Sequence, residues 1–317
     1  LNGKTLDIAR IAKTAIIKWQ IIRILVSGTI YLQLRNSSVL TFHFWQFWQS
    51  WQFWHLSSMV YSKPVTTSPL DILAIAAHRD DVEQTCGGAL LKMAQLGRRT
   101  GILDLTQGEM GTRGTAQDRA READEAARIL KVSFRQALDI PDGRVENTWE
   151  NRLKIARVIR QQRPRVVILP YWQGRHPDHY TCSTLGYEAC FLAGLTKLQL
   201  DQPSPGSTPA ADDWAQRPHR PFKIVYASLY FDIRPTFVVD ITDQFEARLQ
   251  SIYAYQSQYN DQTAGSRDFP AHAEIRERVA TMAGFYGMLA GVKYAEPFVQ
   301  KEVGLVDDLS LIPVKSV

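Results

Sequence analysis

Residues 70–83 read Leu-Asp-Ile-Leu-Ala-Ile-Ala-Ala-His-Arg-Asp-Asp-Val-Glu, and this stretch decides the fold class. Its first eight residues are a short apolar run, the signal of a buried strand. Residues 82–96 then carry apolar side chains at helical spacing and stop at Gly97, a glycine suited to the position just past a helix end. A buried strand running straight into a helix is the first half of a βα unit.

The same alternation continues downstream. Residues 100–105 predict a second strand. Residues 117–130 predict a helix, with Ala120, Ala123, Ala127 and Leu130 on one face and charges on the other. Residues 134–140 predict a weaker strand closed by a Pro-Asp-Gly turn at 141–143. A helix at 150–162, a strand at 165–169 stopped by Pro170 and a helix at 178–195 follow. Residues 201–221 hold five of the fifteen prolines and read as a loop. Strands are expected again at 223–230 and 237–241, with helices at 244–257 and 271–289. Repeated βα units imply an α/β fold: a mostly parallel, Rossmann-like sheet with helices on both faces and right-handed crossovers. Ligands of such sheets bind outside the carboxyl ends of the strands.

Composition sets the outer limits. The 317 residues are 45% hydrophobic and 22% charged, which excludes collagen-like, disulfide-scaffold and largely disordered classes. Three cysteines without CxxC spacing, Cys86, Cys182 and Cys190, fit a reducing, cytoplasmic compartment and packing roles. The net charge of +5 is concentrated at the N-terminus. Residues 1–58 hold six basic residues and one acid, so the remainder keeps 31 of each sign. No overall field draws that remainder to a nucleic acid.

Residues 1–58 differ in kind. Five of the eight tryptophans lie there, and 44–54 is the near-repeat FWQFWQSWQFW. A membrane span is disfavoured because Lys18 and Arg23 interrupt the apolar stretch. A signal peptide lacks its small-residue cleavage site. No methionine precedes Met59. The expectation is a non-native or disordered N-terminal extension over 1–58 and a single domain over 59–317.

Polar residues cluster where the predicted strands end. His78-Arg79-Asp80-Asp81-Val82-Glu83 follows the first strand, and Arg175-His176-Pro177-Asp178-His179 follows the 165–169 strand. Imidazole and carboxylate are the ligands of a catalytic zinc, which takes three protein groups and leaves a fourth position for water. His78 and Asp81 are one turn apart at a strand–helix junction. Pro177 suits the first helical position, which puts His176 near the N-cap and His179 in the first turn. Alone, an Asp-Asp pair also describes an N-cap with an acid behind it. An HxxH pair alone also describes two solvated histidines. Their coincidence at one sheet edge favours chemistry. The glycines 108, 111 and 114 lack the Lys-Ser/Thr of a phosphate loop and read as a pocket wall.

These motifs carry a resemblance. AHxDDxE at 77–83 with HPDH at 176–179 resembles the LmbE/PIG-L family of zinc-dependent N-acetylglucosaminyl deacetylases. Residues 103–115, 140–143, 170–179 and Glu296-Pro297-Phe298 are most similar to its bacillithiol-biosynthesis branch. The resemblance spans about residues 68–305. It implies that His78, Asp81 and His179 bind Zn²⁺ and that Asp80 is the general base toward the attacking water. It implies that His176, oriented by Asp178, stabilises the oxyanion or protonates the leaving amine, and that Arg119 holds sugar hydroxyls. Arg113 and Asp142 are further candidates for orienting the sugar. The implied partner is a small-molecule N-acetylglucosamine conjugate, in the branch N-acetylglucosaminyl malate, with no nucleic acid or membrane partner; a homo-oligomer stays open. Arg79 stands where the family has proline. Losing proline loosens the turn, and a cation turned toward Asp80 would make it a weaker base.

Two alternatives remain at this point. One is a deacetylase for another glucosamine conjugate, inositol-linked or oligomeric. The other is a non-catalytic nucleotide-binding α/β protein. For that, a glycine fingerprint should open the first helix, but Gly87 and Gly88 lie inside it and the strand end is acidic.

Overall fold

Strand β1, Ile72–Ala76, is an interior strand of a seven-stranded sheet, paired on both sides. Its side chains alternate between the two faces of a sheet. Leu73 and Ile75 pack with Ile155, Ile159, Leu185 and Ala189 on one face, and Ala74 and Ala76 pack with Val82, Ala89 and Leu90 on the other. Helices therefore cover both faces. The computed structural model describes residues 31–33, 39–41, 69–200, 217–229, 232–261, 263–265 and 269–314. The chain divides into two units, Leu1–Thr67 and Ser68–Val317.

In the first unit the described residues are a short antiparallel pair, Tyr31–Gln33 with Val39–Thr41. The reading of 1–58 otherwise lies outside the described residues, as does most of the 201–221 loop.

In the second unit, β1 is followed by helices α1 (Asp81–Thr85) and α2 (Gly87–Gln95), then β2 (Thr100–Asp104) and α3 (Ala116–Ile129). Next come β3 (Phe134–Ala137), α4 (Trp149–Gln162), β4 (Val166–Pro170) and α5 (Pro177–Ala193). The chain finishes with β5 (Lys223–Ala227), β6 (Phe237–Asp240), α6 (Phe245–Tyr253), α7 (His272–Ala290) and β7 (Ala295–Val299). Seven strands lie in the order β3-β2-β1-β4-β5-β7-β6. The first five are parallel, and β7 is antiparallel to both of its neighbours. The strand order reverses between β1 and β4, so the crevice at their carboxyl ends is the topological switch point.

Besides ending the 223–230 strand at Ala227 and the 244–257 helix at Tyr253, the structure departs from the sequence reading in two elements. The helix expected over 82–96 is two helices, broken at Cys86 (φ −143°, ψ 17°). Strand β7 was not expected, because Ala-Glu-Pro-Phe-Val is short and a proline argues against a strand inside a sheet. Here Pro297 stands opposite Val238 of β6. Helix α3 starts as its sequence asks. Thr115 and Asp118 form a reciprocal capping box.

Behind β1 and β2 lies a buried ionic cluster. The Arg135 guanidinium donates to Asp104 at 2.9 and 3.1 Å and to Glu83 at 2.6 Å, and the Tyr255 hydroxyl donates to Glu83 at 3.1 Å. Glu83, the last residue of the AHxDDxE motif, therefore faces the interior rather than the crevice. Charges held this deep persist because each is paired.

Candidate active site

His78 leaves the carboxyl end of β1, and Asp81 opens α1 one turn later. The His78 backbone N–H donates to Asp81 Oδ2 at 2.9 Å, which ties the two together locally. From β4, His176 is the N-cap of α5 and Pro177 its first residue. His179 then points back across the crevice. His78 Nδ1 and His179 Nε2 are 3.2 Å apart. Asp81 lies 3.4 Å from the first through Oδ2 and 3.2 Å from the second through Oδ1. Zinc bonds of about 2.0–2.1 Å in a tetrahedron put ligand atoms about 3.3–3.4 Å apart. The donor set and its spacing therefore fit a divalent cation held by His78, Asp81 and His179.

The other nitrogen of His78 supports this fit. Nε2 faces Asp142 Oδ1 at 3.1 Å and Asp178 Oδ2 at 3.4 Å. A metal-binding histidine normally gives its second ring N–H to a carboxylate, which fixes its orientation. Asp142 thus has an engagement that the sequence reading did not foresee. It faces the crevice, but its carboxylate binds His78 and accepts from the Met110 N–H at 3.0 Å. Asp142→Asn is expected to weaken zinc binding about 10- to 100-fold with the substrate KM little changed, read by chelator competition. A raised KM with full zinc affinity would return Asp142 to the sugar.

Asp178 also differs from its expected role. Its carboxylate accepts from the Gly143 and Val145 N–H groups at 2.9 and 3.2 Å, and its link to His176 is through the backbone. The Asp178 N–H donates to His176 Nδ1 at 3.2 Å. That bond leaves His176 Nε2 as the nitrogen available to a ligand.

Asp80 occupies the N-cap position of α1 but makes no side-chain cap. Its Oδ1 accepts from Arg119 at 3.0 Å. Its Oδ2 accepts from the Tyr259 hydroxyl at 3.0 Å and from Gln84 at 3.2 Å. Arg79 turns away and donates to the Ala116 carbonyl at 2.8 Å, so the cation beside Asp80 is Arg119. Asp80, Asp81, His78, His176, His179, Arg119 and Asp142 all face one cleft of about 530 Å³. Gly108 and Gly111 form part of its wall, and Gly108 takes a left-handed φ of +73° directly against the Arg119 guanidinium. Arg113 is not among the lining residues. Its guanidinium donates to Thr263 and lies 3.8 Å over the Phe269 ring.

Residues 73–190 match the family described as PIG-L: GlcNAc-PI de-N-acetylase. The chain is 31% identical over 237 residues to the diacetylchitobiose deacetylase of Thermococcus kodakarensis, covering 71% of this chain and 80% of that protein. The chain belongs to the PIG-L/LmbE deacetylase family. Among solved structures, the conserved protein TT1542 from Thermus thermophilus superposes with a TM-score of 0.63 at 37% identity. The match covers 75% of this chain and 98% of that one. The N,N'-diacetylchitobiose deacetylase of Pyrococcus horikoshii gives 0.60 at 23% identity, covering 84% and 94%, and shares the fold.

The electrostatics of this deacetylase separate its two adjacent aspartates. Burial raises the Asp80 carboxyl above its ordinary value, against the pull of Arg119. Asp81 is held well below its ordinary value despite burial, because His179 and His78 face it. Burial opposes protonation of His78 and His179, but their carboxylate partners raise both. The pocket thus attracts positive charge, whether protons or a metal that displaces them. His176 is lowered by burial and by the two other imidazoles. Sequence reasoning missed Tyr259, Gln258, Arg175 and Arg278 in the cleft lining. Tyr259 lies 179 positions from Asp80, and no local pattern marks it. The three cysteines are buried and form no disulfide, and burial pushes the Cys190 thiol up to about 12. Among the described residues, no helix is long and apolar enough to cross a membrane.

Proposed function

We propose that the deacetylase removes the acetyl group from an N-acetylglucosamine conjugate with zinc as its metal, and that the conjugate is N-acetylglucosaminyl malate. The observation that carries the reading is the triangle of His78, Asp81 and His179 with an unligated, differently tuned carboxylate, Asp80, next in the chain. When bound, the metal supplies polarisation of the acetyl carbonyl and a water of pKa about 7.

The remaining chemistry belongs to side chains. Asp80 takes the proton of the attacking water. Arg119 and Tyr259 keep its carboxylate ionised and aimed, while burial makes it more basic than a solvated aspartate. Asp80 passes that proton on to the departing amine, and His176, whose Nδ1 accepts from the Asp178 N–H and whose Nε2 therefore carries the hydrogen, donates a hydrogen bond to the oxyanion. Asp142 and Asp178 hold His78 in orientation. A cleft of about 530 Å³ has room for a sugar and its substituent. The candidate residues all lie in Ser68–Val317, which is proposed to work as one domain in the cytoplasm, as the sparse, unpaired cysteines favour.

A second reading is hydrolysis of an N-acetylated chitobiose, favoured by the 31% identity to a protein of that activity. Acetate release from N-acetylglucosaminyl malate, diacetylchitobiose and plain N-acetylglucosamine decides among them. A higher kcat/KM for the malate conjugate is expected, and preference for the disaccharide would replace the first reading with the second. A chain lacking residues 1–58 is expected to keep its thermal midpoint and kcat/KM, since every candidate site residue lies beyond them. Insolubility or inactivity of the shortened chain would contradict the proposed boundary.

A further inference from the structure

The break between α1 and α2 holds an ion pair that the proposed reaction does not use. Glu296 of β7 is fully buried, and Arg248 of α6 is nearly so. They meet at 3.0 Å between Arg248 Nε and Glu296 Oε1. The carboxylate accepts from the Gly88 N–H at 2.9 Å and from the Ala89 N–H at 2.7 Å, the first turn of α2. The guanidinium donates to the Glu83 carbonyl at 3.1 Å and to the Gln84 carbonyl, the last turn of α1. The anion thus sits at the positive end of one helix and the cation at the negative end of the other, each satisfying groups that a helix end leaves unpaired. Gly88 makes room for this, because a Cβ there would lie 2.9 Å from Glu296 Oε1.

Helix α1 has five residues, too few to hold its own direction. It nevertheless carries Asp81, with Asp80 at its N-cap. We infer that Arg248 and Glu296 are positioning residues: wedged into the helix break, they set the direction in which α1 presents Asp81 to the metal and Asp80 to the water. This inference rests on the deacetylase reading for its rate effect, but not for its effect on metal binding. It also gives Glu296-Pro297-Phe298 a task beyond joining β5 to β6, since β7 brings that carboxylate to the first turn of α2.

Two variants test it. Glu296→Gln removes the charge at constant size. Gly88→Ala keeps both charges and improves local helix propensity, and its Cβ, 2.9 Å from Glu296 Oε1 and 3.0 Å from the Ile241 side chain, pushes the carboxylate off its seat. Both are expected to bind Zn²⁺ alone at least about 10-fold more weakly in chelator competition, the scale seen when outer supports of a metal site are lost. Once saturated with zinc, both should show kcat lowered by about 10-fold or more with KM within about twofold. Circular dichroism and the thermal midpoint of the metal-free protein report folding separately. Folded variants with parental zinc affinity and kcat would overturn the inference and leave the pair a purely structural contact. If Glu296→Gln does not fold, Gly88→Ala decides alone. If the parent binds zinc but releases no acetate from any conjugate, the proposed reaction fails while the zinc comparison still decides whether the pair positions α1.

Discussion

His179→Ala is expected to arrive without zinc and to lose deacetylation. Its Nε2 lies 3.2 Å from His78 Nδ1 and 3.2 Å from Asp81 Oδ1, and a catalytic site with three protein ligands has none to spare. The lost metal would take with it several kcal/mol of transition-state stabilisation, about 10³-fold or more at 1.36 kcal/mol per decade. Metal analysis of the purified variant and acetate release together check this. Stoichiometric zinc retained in a folded His179→Ala protein would refute the ligand assignment, whatever its activity.

The second large effect separates two neighbours of the same residue type. Asp80→Asn is expected to keep zinc and lose about 10²- to 10⁴-fold in rate, the usual contribution of a positioned acid–base group. Asp81→Asn is expected to lose zinc affinity instead. Asp81 faces both imidazoles, which hold its carboxyl well down. Asp80 faces Arg119 and Tyr259, and burial raises it. Asparagine preserves the shape of Asp80 but cannot take a proton. The reverse outcome, with Asp80→Asn metal-free and Asp81→Asn metal-replete, would exchange the two roles.

Much of this site was legible before any coordinates. A buried strand, a His-x-x-Asp turn and a later His-Pro-Asp-His at a helix start are local patterns. Each side chain's direction follows from its own strand end or first helical turn. The switch-point rule then placed both motifs at one sheet edge, as the reversal of strand order between β1 and β4 bears out. The supporting residues were less legible. Asp142 looked like a sugar contact because its turn was readable and its partner was not. Arg113 was a candidate because a sugar needs polar groups to orient it, yet its guanidinium engages Thr263 and Phe269. The helix over 82–96 looked continuous because periodicity does not register a break that leaves the apolar face nearly in phase.

The sequence by itself thus determined the α/β class, the parallel core and the family, and it singled out His78, Asp81 and His179 as the proposed metal ligands. Each of these rests on short local motifs, two of which, 101 positions apart, the alternation of strands and helices places at one sheet edge. Tertiary structure alone decided that Arg119 and Tyr259 attend Asp80, that Asp142 orients His78, and that Arg248 and Glu296 occupy the break below α1. These contacts join residues 39, 179, 64, 165 and 208 positions apart. Side chains so distant meet only after the sheet has assembled, because burial and pairing of charge are properties of the packed interior.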